Sequence, residues 1–263
     1  MTNYQFLQKY LELQKDIMFD GLFDLGFATV CYSENDPSSF WNNALVNSVL
    51  DAEQIGIVET KLTQSQRPPA FYFENREDLS SLTTILLDRG YEQAAEDSLM
   101  FHGGESIDES RFGNVKKVTT NEELDVYIDT FDKCYQKDDP QNPYGELGDY
   151  LTAARIAWQK HHASNRIEYF TIFKDNQPVA VATLTNHDGL GYISNIGSLR
   201  TVRGEGYGKL ATLYCVSQSK KNGNTEHCLA TEEGTNPNSF YKAIGFKTRF
   251  TARLMVKKEL TKI

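Results

Sequence analysis

The sequence predicts a mixed α+β fold built as two lobes, each a mostly antiparallel sheet flanked by helices. Three observations carry this. Strand and helix periodicities alternate along the whole chain, and a polar stretch from Gly103-Gly104 through Arg111 divides it. The spacing of Gly90-Tyr91 before Leu99-Met100-Phe101 also recurs as Gly245-Phe246 before Leu254-Met255-Val256. In both places a strand and a helix precede the glycine, as in a worn internal duplication. The boundaries that follow are a first lobe over 1–104, a linker over 105–114 and a second lobe over 115–263.

Taken in order, Phe6, Tyr10, Leu13 and Ile17 recur at helical spacing before Gly21, and Phe27 to Tyr32 is a β-branched and aromatic strand. Asp36 before Pro37 reads as an N-cap with proline at the first helical position, opening a helix that continues over Phe40 to Leu50. Beyond Pro68-Pro69, Ala70 to Glu74 reads as a strand. Asp78 to Leu87 is a helix stopped by Gly90, and Ser98 to His102 is another strand. In the second lobe, Val115 to Val118 is a strand and Thr120-Asn121-Glu122-Glu123 starts a helix whose stripe is Leu124, Ile128 and Phe131. A loop over Gln136 to Asp149 precedes a helix over Tyr150 to Trp158. Three strands follow, Tyr169 to Lys174, Val179 to Thr185 and Tyr192 to Leu199, joined by turns at Asp175-Asn176 and Asp188-Gly189 as an antiparallel meander. A glycine turn then opens a helix carrying Leu210, Leu213, Tyr214 and Val216. The chain closes with a strand at His227 to Thr231, a helix from Pro237 to Ile244 and a strand through Arg253 to Lys257.

The bulk numbers narrow the function classes. The 263 residues are 40% hydrophobic and 24% charged, with a formal net charge of -9. That composition belongs to an ordinary globular protein, and the acidic balance argues against nucleic acid or an anionic membrane as partner. The four cysteines, Cys31, Cys134, Cys215 and Cys228, are scattered without a Cys-x-x-Cys, so neither zinc nor a disulfide framework is indicated. His161-His162 reads as a helix-end cap rather than a metal site, and His187 and Asp188 as an exposed turn. The start lacks a signal-peptide pattern and no apolar run is long enough to span a bilayer. The expectation is a cytoplasmic protein, a monomer or homodimer, with no metal.

Chemistry is concentrated at Arg203-Gly204-Glu205-Gly206-Tyr207-Gly208. Three alternate glycines between a strand and a helix let several backbone N–H groups converge on one anion at the helix N-terminus. A dinucleotide fingerprint would place the third glycine one residue later and within a parallel βαβ unit. A P-loop would require Ser or Thr after Gly208-Lys209, where Leu210 stands.

This turn after a meander, followed by a helix carrying Tyr241 before Gly245-Phe246, resembles the GNAT superfamily of acetyltransferases over roughly residues 115 to 257. Arg203, Gly206 and Gly208 match the family's pyrophosphate motif, and Tyr241, Gly245 and Phe246 its later signature. The resemblance implies direct transfer of an acetyl group from acetyl-CoA to a primary amine through a tetrahedral intermediate, with no acyl-enzyme and no nucleophilic cysteine. It implies a second lobe with a splayed acyl-CoA-binding cleft, in which Tyr241 is the acid for the departing thiolate. The cofactor side would be formed by Arg203, Gly204, Glu205, Gly206, Tyr207, Gly208 and Lys209. A backbone N–H between Ile196 and Leu199 would hold the acetyl carbonyl, and Asn236 or Asn238 would add a contact. The strand after Thr225 would splay from its neighbour to receive the pantetheine arm.

A general base is named less directly: Glu232 or Glu233, relay waters, or deprotonation before binding all serve. Acids in the loop 136–149, namely Asp138, Asp139, Glu146 and Asp149, suggest a cationic amine acceptor. In the first lobe Leu86 occupies the position of Tyr241 and no Arg-x-x-Gly-x-Gly run precedes residue 115. That lobe is therefore expected to be non-catalytic and to shape the acceptor side. The competing reading is a non-catalytic acyl-CoA-binding or regulatory module. A paired-lobe aminoacyl or peptidyl transferase is disfavoured by the intact phosphate motif.

Overall fold

The computed structural model describes residues 1–139, 141–142 and 145–258. Pro140 and Pro143 of the expected loop lie outside the described residues. The chain divides into two units, Met1–Leu99 with Arg249–Ile263, and Met100–Thr248.

In the first unit, helix α1 (Asn3–Gln14) opens with a capping box in which the Thr2 hydroxyl accepts from the Gln5 N–H and the Gln5 amide oxygen accepts from the Thr2 N–H. Strands β1 (Gly21–Asp24), β2 (Ala28–Tyr32) and β3 (Asn43–Val46) pair antiparallel in turn. Helix α2 (Ala52–Gln64) carries the chain to β4 (Ala70–Glu74), which lies parallel to β3. Helix α3 (Ser80–Asp88) and strand β5 (Tyr91–His102) follow. Val58 and Leu62 of α2, Phe71 and Phe73 of β4, and Leu82 and Leu86 of α3 form one buried core.

The expected helix over Phe40 to Leu50 is replaced by strand β3. Asn42 and Asn43 turn their side-chain amides onto the carbonyls of Asp36, Ser38, Ser39 and Phe40, and these bonds favour a turn over a helix. Asn43 to Val46 is then buried throughout, as suits a strand held between two neighbours, antiparallel to β2 and parallel to β4. The helix begins only at Ala52, where Asp51 and Gln54 make a second capping box.

In the second unit, the stretch expected as a linker lies on the unit's own core: Ile107 and Phe112 pack against it, and the Phe112 ring meets Tyr214 edge-on at 5.0 Å. Strand β6 (Val115–Lys117) and helices α4 (Asn121–Cys134) and α5 (Tyr150–His161) precede the meander β7 (Ile167–Lys174), β8 (Gln177–His187) and β9 (Leu190–Ser198). All three junctions among β6, β7, β8 and β9 are antiparallel. Helix α6 (Tyr207–Lys221) leads to β10 (Glu226–Glu232), parallel to β9, then to α7 (Asn236–Ala243) and β11 (Phe246–Lys257). Only Phe246–Thr248 of β11 belongs to this unit; Ala252 to Val256 pair antiparallel with β4 of the first unit. The division therefore falls inside strands, and the chain's last strand returns to the first unit.

β9 and β10 pair over just three residues, Leu190 to Tyr192 against Glu226 to Cys228. At that junction α6 sits so close that a Cβ on Gly191 would lie 1.8 Å from the Ser219 hydroxyl oxygen. Ser219 accepts from the Asn224 amide at 3.1 Å, and its hydroxyl is directed at Nδ1 of His227, 2.8 Å away. Burial, reinforced by the charges of Lys220 and His102, lowers the His227 pKa to about 4. A neutral imidazole is thus built into the junction.

Because the folded pKa is depressed from an ordinary value near 6.5, stability from this group is complete above about pH 6.5 and is lost as pH falls towards 4. Urea denaturation of wild type and His227→Asn across pH 4 to 7.5 should show the wild-type advantage shrinking over that window. A difference that stays constant with pH would contradict it.

Candidate functional site

Beyond Tyr192 and Cys228 the two parallel strands no longer pair, which leaves Ile193–Ser198 on one side of a split and Leu229–Glu232 on the other. The divergence has a local cause in β9. Its register against β8 runs Thr183 to Ser194, then Val181 to Gly197, so Asn195 and Ile196 form a bulge. Asn195 holds φ at +53°, an uncommon value that asparagine tolerates better than most residues.

Side chains from three elements fix this bulge. The Asn195 amide nitrogen donates to the Thr183 hydroxyl (3.2 Å), and its oxygen accepts from the Tyr150 phenol (2.9 Å). Thr183 is also 2.7 Å from the Tyr127 hydroxyl, and the Tyr127 ring stacks on Tyr169 with centroids 4.3 Å apart. The Tyr135 hydroxyl donates to the Ile196 carbonyl (2.9 Å). Gly197 lets the end of α4 close onto the strand, since a Cβ there would be 2.6 Å from Cβ of Cys134. Burial pushes the Cys134 thiol up to about 12, partly offset by the charge of Arg203, so it stays protonated. The N–H of Leu199 is engaged by the Val179 carbonyl at 2.9 Å, which removes it from the donors expected along Ile196 to Leu199.

The glycine turn follows at once. Gly204 and Gly206 both sit at φ +84°, where any other residue would be strained, and Gly206 is the N-cap of α6. Helices α1, α2, α4 and α7 each have a side-chain cap; α3, α5 and α6 have none. The N-terminal N–H groups of α6 are thus left without a side-chain acceptor, the condition under which an anion is stabilised there.

The cations of the motif are differently disposed from the sequence expectation. Arg203 forms a two-pronged ion pair with Asp139, whose side chain is 2% exposed: Nη1 lies 3.0 Å from Oδ1, and Nη2 contacts Oδ2. That guanidinium holds the Asp139 carboxyl below its usual range. Arg200 bonds Asp138 through Oδ2 (3.0 Å) and the carbonyl (2.8 Å). Glu205 takes both oxygens to Nζ of Lys174. Tyr207 is buried and Lys209 exposed. Of the four acids expected to line an acceptor pocket, two are thus bound to arginines, and Glu146 and Asp149 remain exposed.

Helix α7 reaches the turn through Phe240, whose ring edge would be 3.6 Å from a Cβ on Gly208. The next residue, Tyr241, is half-buried, with its ring 5.9 Å from Phe246. Thr235 caps α7 and donates to the Glu232 carbonyl at 2.7 Å. Asn238 is buried, its amide 3.3 Å from the Glu233 carboxylate, while Asn236 is exposed. Glu233 is further bound by Lys242 at 3.2 Å, whereas the half-buried Glu232 carboxylate has no such partner among the described residues.

Sequence reasoning missed Asn195, Tyr150, Tyr135 and Arg111. The only signal for the last was the pair of apolar residues, Ile107 and Phe112, embedded in a polar run. The His162 ring bonds the Trp158 carbonyl (2.8 Å), as a helix-end cap does. Among the described residues no group of three or more His, Cys, Asp or Glu could hold a metal, and no helix is long and apolar enough to cross a membrane.

Residues 126–246, all within the second unit, match the model of the acetyltransferase (GNAT) family. No curated protein matches the sequence. Among solved structures, a GCN5-related N-acetyltransferase from Kribbella flavida is 17% identical with a TM-score of 0.69, covering 97% of this chain and 95% of that one. A GCN5-related N-acetyltransferase from Sphaerobacter thermophilus is 12% identical, TM-score 0.60, covering 89% and 82%. A tandem GNAT protein from the clavulanic acid biosynthesis pathway is 11% identical, TM-score 0.53, covering 87% and 77%. At such identities the likeness is one of fold. The second unit carries a GNAT acetyltransferase domain, and the whole chain shares the fold of these structures.

The close approach at Gly197 gives a direct check. Gly197→Ala should destabilise the unit by about 1–3 kcal/mol, the usual cost of overpacking, read as a lowered denaturation midpoint. An unchanged midpoint would mean that α4 does not pack on the bulge in this way.

Proposed function

We propose that the second unit is an N-acetyltransferase moving an acetyl group from acetyl-CoA directly to a primary amine, with Tyr241 as the acid. The observation that carries the reading is the pairing of the β9–β10 split with an uncapped glycine turn at its edge. The pantetheine arm fits the unpaired strand edges, and the pyrophosphate fits the N–H groups at the start of α6. Acetyl-CoA supplies a thioester already activated towards amines.

The chain's own residues then have separable tasks. Ile196, displaced from β8 by the bulge, offers its N–H to the carbonyl oxygen as negative charge develops there. The amine must be neutral to attack; Glu232 at the end of β10 is the proposed proton acceptor, directly or through water. Bond formation from nitrogen to the carbonyl carbon expels the thiolate, and the Tyr241 hydroxyl gives it a proton and is reprotonated from solvent. Buried thiols such as Cys134 take no part. A cationic acceptor would be drawn by Glu146 and Asp149, since Asp138 and Asp139 are neutralised by Arg200 and Arg203.

The first unit is proposed to be non-catalytic. Its α2 is capped by Asp51, so a carboxylate already fills the place an incoming phosphate would need, and Leu86 is buried in its core where the second unit has Tyr241.

Two measurements test the reading. Calorimetry should find one CoA bound per chain; two would contradict a silent first unit. An acceptor library spanning polyamines, amino-acid amines and aminoglycosides should reveal CoA release that Tyr241→Phe lowers by about 10²-fold or more in kcat, with CoA affinity retained. CoA binding without turnover of any acceptor would favour a non-catalytic binding module instead.

A further inference from the structure

Residues 103–114 form a strap along α6. Its start is fixed by the Gly103 N–H on the Gly245 carbonyl, 3.1 Å. Glu109 then accepts from the Ser217 hydroxyl and pairs with Lys221 at 3.6 Å, near the end of α6. Phe112 packs on Tyr214 in the helix middle. Arg111 reaches the helix start: its guanidinium lies 5.1 Å from the centre of the Tyr207 ring, and Nη1 donates to the Glu205 carbonyl at 3.3 Å. The same nitrogen would be 3.5 Å from a Cβ on Gly206, so it borders the turn itself.

Most of the other charges around the turn are engaged in ion pairs. Arg203 and Arg200 pair with Asp139 and Asp138, and Lys174 pairs with Glu205. Hydrogen bonds from Ser110, and to a smaller extent the charge of Lys209, hold the Asp108 carboxyl below the usual range, but Lys209 is exposed and makes no ion pair among the described residues, and unlike Arg111 it is not held against the turn by a ring or a backbone carbonyl. Among the described residues, no carboxylate stands within ion-pair distance of Arg111. A bound pyrophosphate needs a cation that costs no existing ion pair, and a guanidinium held over an aromatic ring and tied to a backbone carbonyl beside the turn is placed to offer N–H donors there.

We propose that Arg111, delivered by the strap, is the guanidinium that binds the pyrophosphate of the acyl-CoA donor at the glycine turn. It thereby sets the preference for CoA thioesters over phosphate-free pantetheine thioesters. This rests on the acyl-CoA reading of the site.

The experiment compares wild type, Arg111→Gln and Arg111→Lys in the full chain. Dissociation constants are measured for CoA, dephospho-CoA and pantetheine, and for CoA at several salt concentrations. Arg111→Gln should weaken CoA and dephospho-CoA alike by about tenfold, the scale of one hydrogen bond to a charged group. It should leave pantetheine within about twofold and flatten the salt dependence of CoA binding. Arg111→Lys should recover the salt dependence and part of the affinity. Equal losses on all three ligands would make Arg111 a structural prop for Tyr207 and overturn the proposal, as would unchanged CoA affinity. A loss confined to CoA would move the contact to the 3′-phosphate and overturn the pyrophosphate assignment. If wild type binds none of the three, the acyl-CoA reading itself fails; if wild type binds CoA and only the Arg111 prediction fails, that reading survives.

Discussion

β9 and β10 share backbone pairing over three residues, and the way that pairing ends shapes the rest of the second unit. Backbone N–H and C=O groups released from a ladder must find other partners. On the β8 side the bulge at Asn195 and Ile196 interrupts the register, and the Ile196 carbonyl is taken up by the Tyr135 phenol. On the closed side, the fit of Ser219 into the space left by Gly191 and its bond to neutral His227 keep the strands joined. A strand pair sealed at one end and bulged beyond it has to diverge. Everything placed at the split, from the glycine turn to Tyr241, hangs from elements that leave these two strands.

The first unit shows what the same order of elements does without that arrangement. It too has three antiparallel strands, a helix, a strand parallel to the third, another helix and a final strand. Yet β3 leads into α2 through an aspartate cap rather than through glycines. Against a glycine at the same place, a side-chain-capped helix start is more stable by only a few tenths of a kcal/mol, but it is closed to an external anion. Gly206 forgoes that stabilisation. Helices α3 and α5 also start without a side-chain cap; what sets α6 apart is that its uncapped start follows two left-handed glycines at the edge of the split, a combination consistent with a ligand site.

Local patterns were the part of this that the sequence disclosed. The meander over β7, β8 and β9 shows in three strand-like runs joined by turns at Asp175-Asn176 and Asp188-Gly189, and the glycine motif shows in its spacing. What escaped was non-local. Arg203 reads as a phosphate ligand until Asp139, 64 residues earlier, is seen to hold it. The last strand reads as the end of the second lobe until its partner proves to be β4. The polar run 105–114 reads as a linker because only two apolar residues anchor it, and those suffice when both pack on the unit's core. The helix expected over Phe40 to Leu50 failed for a local reason: Asn42 and Asn43 competed for backbone carbonyls.

The charge arrangement links the glycine turn to the loop 136–149 in a way neither segment reveals alone. Asp139 belongs to the loop 136–149, on the side expected to meet the acceptor, while Arg203 belongs to the turn expected to meet the donor. They share a pair in which the acid is buried. A phosphate arriving at the turn would therefore meet an arginine whose charge is already matched, and could recruit it only by leaving the buried Asp139 to the more distant Arg200, whose Nε lies 3.7 Å away, which is costly. In a chain of net charge -9, long-range attraction of a polyanion is weak as well. Binding must then draw on oriented backbone N–H groups and on a cation outside the pair. On the proposed acyl-CoA reading, the uncapped helix start and the strap's arginine, more than the motif arginine, are therefore the groups on which a phosphate-bearing donor would depend.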